Sequence, residues 1–109
     1  KRQHDERARI VESLGGGNIL VLRNHGLLTV GETIGEAFFW MYRMEAACQY
    51  QVDMLSQNRE LQPPSKEVQD YTIALGKKLF GKGGSAAKNM QWPAMIRKLE
   101  REGIDDWRQ

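Results

Sequence analysis

Asn18-Ile19-Leu20-Val21-Leu22-Arg23-Asn24-His25-Gly26-Leu27-Leu28-Thr29-Val30-Gly31 decides the fold, because it sets two apolar, β-branched runs on either side of a short polar break. Runs of Val, Ile and Leu at this length pack well on a pleated surface, so residues 18–23 and 27–31 are predicted strands. Asn, His and Gly tolerate or supply a left-handed backbone, which lets the chain reverse and leaves the His25 imidazole at the end of a sheet. An imidazole held there is suited to bind a metal. It is equally suited to be a plain turn residue, and spacing alone leaves both readings open.

Working outward, residues 5–14 carry Ala8, Ile10, Val11 and Leu14 at helical spacing, and Gly15-Gly16-Gly17 then stops that helix. After Gly31 the period changes from that of a strand to that of a helix. Thr33 and Glu36 form a capping-box pattern, which predicts a helix from there to about Ser56. Its apolar residues leave little polar circumference: Ile34, Met41, Cys48 and Leu55 recur at sevens, Ala37, Phe38, Met44 and Val52 lie beside them, and aromatics cover much of the rest. Such a helix is expected to be buried on several sides, against a sheet on one face and another helix or subunit on the other.

Residues 56–65, with Pro63-Pro64, read as a loop, and Ser65 is placed to cap a helix ending near Phe80. The joint at residues 81–85 resembles a phosphate loop only in composition, since no strand precedes it and no G-K-[ST] follows at the required spacing. A last helix over about 89–102 holds Pro93 in its first turn, buries Trp92, Met95, Ile96 and Leu99, and ends at Gly103. The tail 104–109 presents Trp107 for docking against the body or a neighbour.

With 109 residues, 40% hydrophobic and 28% charged, the chain is one soluble globular unit or part of one. No apolar run approaches the roughly 20 residues needed to span a bilayer, so no membrane association is expected. The charged start, without an initiator methionine, is no secretory signal and suggests a processed or truncated product. Cys48 is the single cysteine, which fits a reducing, cytoplasmic setting. A net charge of +2 is too small for a nucleic-acid partner, and Lys77, Lys78, Lys82, Lys88, Arg97, Lys98 and Arg101 read as a solvated surface.

A lone hairpin is marginal in water and cannot cover the apolar surface of the helix that follows it. Residues 1–109 are therefore expected to be the C-terminal portion of one larger α/β domain, with missing strands supplied by an upstream segment or separate chain. Within it, 5–57 is the helix-hairpin-helix core and 65–109 carries the C-terminal helices and tail.

The run from Ile19 to Phe38 resembles the "LRNHG…vGet…EAf" signature of the class II aldolase/adducin family. Glu45-Ala-Ala-Cys-Gln-Tyr-Gln-Val52 is similar to that family's "ACe-Q" helix, and residues 92–102 resemble, more weakly, the closing helix of its adducin-like branch. The likeness covers residues 5–57 well and the remainder loosely. It implies a three-layer α/β/α sandwich around a mainly antiparallel sheet, in a homo-oligomer, often a tetramer, with sites between subunits. It also implies zinc or another divalent metal held by three histidines, a His-x-His pair upstream and the histidine of the Asn-His-Gly turn, which falls on His25.

A catalytic zinc takes three protein ligands at about 2.0–2.1 Å, and a ligating imidazole needs an acceptor for its second nitrogen. Asn24 and Gly26 would set the turn that aims the ring. Arg23, read as a strand residue, should point to the opposite face from its neighbours and receives no role. His4-Asp5-Glu6 is not the upstream motif, and His4 is expected to be an exposed helix-start residue. With the His-x-His pair and the catalytic glutamate both upstream, no catalytic residue is expected in this chain.

The activity implied is that of a metal-dependent lyase, aldolase or decarboxylase in type, acting on a small hydroxy-carbonyl substrate through a metal-stabilised enediolate. The alternative is a non-catalytic adducin-like head that oligomerises and binds cytoskeletal proteins. Leu22 to Leu27, with Ala47-Cys48 and Gln51-Val52, stands closer to the adducin-like branch. The end at Gln109, without a lysine-rich tail, leans toward the enzyme.

Overall fold

In the computed structural model, residues 2–81, 90–104 and 106 are described. Helix α1 (Arg2–Leu14) is followed by strands β1 (Ile19–Leu22) and β2 (Gly26–Thr29), then by helices α2 (Ile34–Ser56), α3 (Lys66–Phe80) and α4 (Trp92–Arg101). Among the described residues, four helices and a two-stranded antiparallel sheet give an α/β arrangement. It divides into two compact units, Lys1–Tyr50 and Gln51–Gln109, with α2 running across the division.

In the first unit, α1 ends as the glycines require. The Gly15 N–H donates to the Val11 carbonyl at 3.0 Å with Gly15 at φ +52°, and the Gly17 N–H donates to the Leu14 carbonyl at 2.9 Å. Ile10 and Leu14, one turn apart, are half-buried, and α1 contacts β1. Ala8 and Val11 are exposed, so the buried stripe is narrower than the spacing predicts.

The hairpin ladder pairs Ile19 with Thr29, Leu20 with Leu28, Val21 with Leu27 and Leu22 with Gly26. Asn18 closes its open end twice over: its carbonyl accepts from the Val30 N–H at 2.9 Å, and its side-chain amide donates to the Val30 carbonyl at 3.0 Å. Thr29 then ties the sheet to α2, its hydroxyl donating to the Ala37 carbonyl at 2.9 Å. Both strands stop short of the predicted limits, leaving Arg23 in the turn and Val30 and Gly31 in the connection to α2.

The predicted cap of α2 is present with one shift. Thr33 Oγ1 accepts from the Glu36 N–H at 3.1 Å, as in a capping box. The Glu36 carboxylate, however, reaches back to the N–H of Glu32, at 2.8 Å, one residue before the cap. The Thr33 hydroxyl thus satisfies one of the donors that a helix start leaves open, and the Glu36 carboxylate ties down the residue before the cap.

Phe39 is the centre of this unit, 2% exposed, with Gly35 buried beside it. Trp40 meets the Phe39 ring edge-on at 5.0 Å, and the Arg43 guanidinium carbon lies 5.5 Å from the ring centre. Burial of α2 on several sides is not realised among the described residues: Ile34 is 79% exposed, Tyr50 68% and Phe38 40%. Geometry gives the reason. Four-residue strands span roughly 13 Å, whereas the 23 residues of α2 span roughly 35 Å.

In the second unit, Ser65 caps α3 by accepting from the Val68 N–H at 3.4 Å, as its position before the helix predicts. Helix α4 carries Pro93 in its first turn and closes in a Schellman arrangement. With Gly103 at φ +73°, its N–H donates to the Glu100 carbonyl at 3.2 Å and the Ile104 N–H to the Leu99 carbonyl at 3.0 Å. Trp92, Met95, Ile96 and Leu99 are half-buried on one face, while Arg97, Lys98 and Arg101 are exposed on the other.

Lys66 pairs with Asp70, and Lys98 with Glu102, across single turns of exposed helix. Lys77 and Lys78 are exposed too, in keeping with a solvated basic surface. Among the described residues no helix is long and apolar enough to cross a membrane. The side chain of His4, together with Lys82, Lys88, the joint at 82–85, the start of the last helix at Asn89 and Trp107, lies outside the described residues.

Candidate metal centre

Leu22 and Gly26 form the last rung of the ladder, so Arg23, Asn24 and His25 make the tip of the hairpin. The His25 N–H donates to the Leu22 carbonyl at 3.3 Å, closing a β-turn whose third residue, Asn24, has φ +63°. A left-handed residue at that place is what a type II turn demands, and Asn supplies it at less cost than most side chains. Gly26 follows at φ +107°, a conformation open to glycine and strained for anything with a Cβ. Asn24 and Gly26 therefore do the geometric work the sequence assigns to them.

The imidazole of His25 is exposed at this tip. Among the described residues no hydrogen bond, ion pair or ring contact engages it. An unengaged ring on a well-defined turn fits the part of a single metal donor. Among the described residues no group of three or more His, Cys, Asp and Glu side chains is placed to hold a cation. Cys48, half-buried on α2, is not drawn toward His25 in any such group.

One reading of the sequence needs correction. Arg23, placed by its apolar neighbours at the end of a strand, belongs to the turn, because β1 ends at Leu22. Its side chain is exposed at the same tip as His25.

Gly31 is the position that sequence reasoning undervalued. A Cβ there would come within 2.7 Å of Glu36 Cβ and 2.8 Å of the Ala37 amide nitrogen. The backbone leaving β2 passes that close to the first turn of α2, and this fixes how the hairpin is set against the helix. The available signal was a glycine two residues before a capping box.

Residues 1–52 match the family described as Class II Aldolase and Adducin N-terminal domain. Among curated proteins, the chain is 36% identical over 103 residues to a provisionally named aldolase class 2 protein of Pseudomonas aeruginosa, covering 91% of this chain and 38% of the relative. A protein of the same provisional name from Caulobacter vibrioides is 39% identical over 98 residues, covering 90% of this chain and 37% of the relative. Human β-adducin is 44% identical over 55 residues, which is 50% of this chain and 8% of that protein. The chain thus spans under two fifths of the length of the bacterial relatives. No solved structure gives a significant match. Residues 1–52 belong to the class II aldolase and adducin family.

Proposed function

We propose that this chain is the C-terminal portion of a three-layer α/β/α domain of the class II aldolase type. The whole protein is then a metal-dependent lyase acting on a small hydroxy-carbonyl compound, with His25 as one metal ligand. The observation that carries this reading is the exposed imidazole, without a partner among the described residues, on a turn that Asn24 and Gly26 hold at positive φ. Zinc or another divalent ion would be held by His25 together with donors from the upstream half of the domain. A cytoplasmic homo-oligomer, with sites completed between protomers, follows the family pattern.

Bound there, the ion would supply Lewis-acid stabilisation of negative charge developing on the substrate oxygens. The part of this chain is to present a ring nitrogen without reorganisation. The turn is already closed by the bond from His25 to Leu22, and the ring has no internal partner to give up among the described residues. Support for the enzyme also comes from the reach of the similarity. The bacterial aldolase-named relatives align over nine tenths of the chain, whereas the β-adducin match takes in half of it.

A second reading, a non-catalytic adducin-like head that oligomerises and binds cytoskeletal proteins, is favoured by the higher identity of the β-adducin match, 44%. Metal analysis of the complete protein by mass spectrometry separates the two. The lyase reading expects a divalent ion in the native protein and its loss from His25→Ala. Retention of metal at equal stoichiometry in the variant would refute the ligand assignment, and a metal-free native protein would favour the scaffold.

A further inference from the structure

Helix α3 carries an apolar stripe that stands open. Val68, Tyr71, Leu75 and Leu79 follow one another at spacings of three and four, which at 3.6 residues per turn gathers them into about 80° of the circumference. They are between 41% and 69% exposed, and α3 contains no buried residue. The opposite side of the helix is polar, with Lys66 paired to Asp70 and Lys77 in line with them; Ile73 lies toward that side. A 15-residue helix is marginal in water by itself and gains its stability by packing an apolar face.

The charges at the rim of the stripe say what fits it. Glu67, in the first turn, and Lys78, in the last, flank the stripe on one edge, whereas Gln69 and Gly76 leave the other edge uncharged. About 16 Å of helix separates Glu67 from Lys78, too far for a pair within one helix. A second copy of α3, laid antiparallel about a two-fold axis, brings each edge against the same edge of its mate. Glu67 of each copy then meets Lys78 of the other. The register agrees, because the pairs 68/79, 71/75 and 67/78 are all centred on residue 73 to within half a residue. One axis position therefore seats Val68 on Leu79, Tyr71 on Leu75 and Glu67 beside Lys78. A parallel arrangement sets the charged edge against the uncharged one and leaves both ions without a mate.

Independently of the metal-ligand reading of His25, we propose that α3 is a contact between two copies of this protein. The contact is an antiparallel helix pair, closed by Val68, Tyr71, Leu75 and Leu79 and keyed by two ion pairs between Glu67 and Lys78.

Sedimentation equilibrium of the complete protein over a range of concentrations is the test. The native protein is expected to hold an even number of copies, and Leu75→Asp to weaken association about a hundredfold or more, halving the particle mass. Glu67→Lys and Lys78→Glu each turn two attractions into two repulsions and should each weaken association about tenfold. Glu67→Lys combined with Lys78→Glu restores both pairs with their signs exchanged and should recover the native constant. A native protein that stays monomeric, or a Leu75→Asp protein with unchanged association, overturns the contact. A Leu75→Asp protein that keeps its mass and loses thermal stability overturns it too, and places another part of the same chain over the stripe. A double variant no tighter than the single ones overturns the antiparallel register. Circular dichroism confirms folding of the charge variants, which alter exposed positions. None of these measurements reads metal content, so failure of the His25 assignment and failure of this contact are told apart.

Discussion

Replacing Gly31 by alanine forces a methyl group into space that the start of α2 already fills. The new Cβ would lie 2.7 Å from Glu36 Cβ, 2.9 Å from Glu36 Cγ and 2.8 Å from the Ala37 nitrogen. The last of these is backbone inside a helix, so a rotamer change cannot relieve the contact; either α2 shifts or the strand exit does. The same turn of helix carries the Thr33 cap and the Thr29 tether to the Ala37 carbonyl.

Overpacking of this kind costs about 1–3 kcal/mol, and a weakened cap adds about 1 kcal/mol. Against these stands a gain of about 0.4–1 kcal/mol from stiffening the unfolded chain. The net expectation is a loss of roughly 2 kcal/mol, combining the three terms. Urea denaturation of the complete protein measures it, with Gly16→Ala as the control, because a Cβ at Gly16 meets nothing within 4 Å. The control should be neutral or slightly stabilising. A Gly31→Ala protein within about 0.5 kcal/mol of native, the ordinary scatter of surface changes, would refute the close-approach argument.

Phe39→Ala removes the ring that the first unit buries most completely, 2% exposed, and should cost about 3–5 kcal/mol by the same denaturation assay. A loss under about 1 kcal/mol, the range of peripheral sites, would show that Phe39 is not the centre of the packing. Phe38→Asp tests whether the outer face of α2, with Phe38 40% exposed in this chain, is covered in the whole protein. Coverage predicts a loss of several kcal/mol together with a shift in oligomer size by size-exclusion chromatography, and no change in either would mean that this face meets water.

The parts of the fold that the sequence announced are those governed by short-range chemistry. Thr33 and Ser65 cap because a hydroxyl one residue before a helix can reach an open N–H, and Gly103 ends α4 because a left-handed residue there lets two N–H groups find carbonyls of the last turn. The Asn24-His25-Gly26 reversal was legible for the same reason. What stayed hidden depends on distant partners or on a one-residue choice of boundary. Periodicity could mark α2 as apolar all round, yet it could not say that two four-residue strands would cover little beyond Phe39. Arg23 was misplaced because Leu22 and Arg23 both read as strand continuations, while the hydrogen bond from His25 to Leu22 starts the turn one residue earlier. Co-ligands for the metal proposed at His25 were not legible, because a single histidine turn would offer a single donor.

Each strand of the hairpin has one side whose backbone groups find no ladder partner among the described residues. β1 is Ile-Leu-Val-Leu, without charge or proline, and Val21 in its middle is 63% exposed. An open edge of that composition is a template for any extended chain, and native proteins usually blunt such edges with lysine, proline or a bulge. Here the nearest charge, Arg23, stands at the tip rather than along the strand. During synthesis and refolding this open edge is therefore the point at which two molecules would first join wrongly.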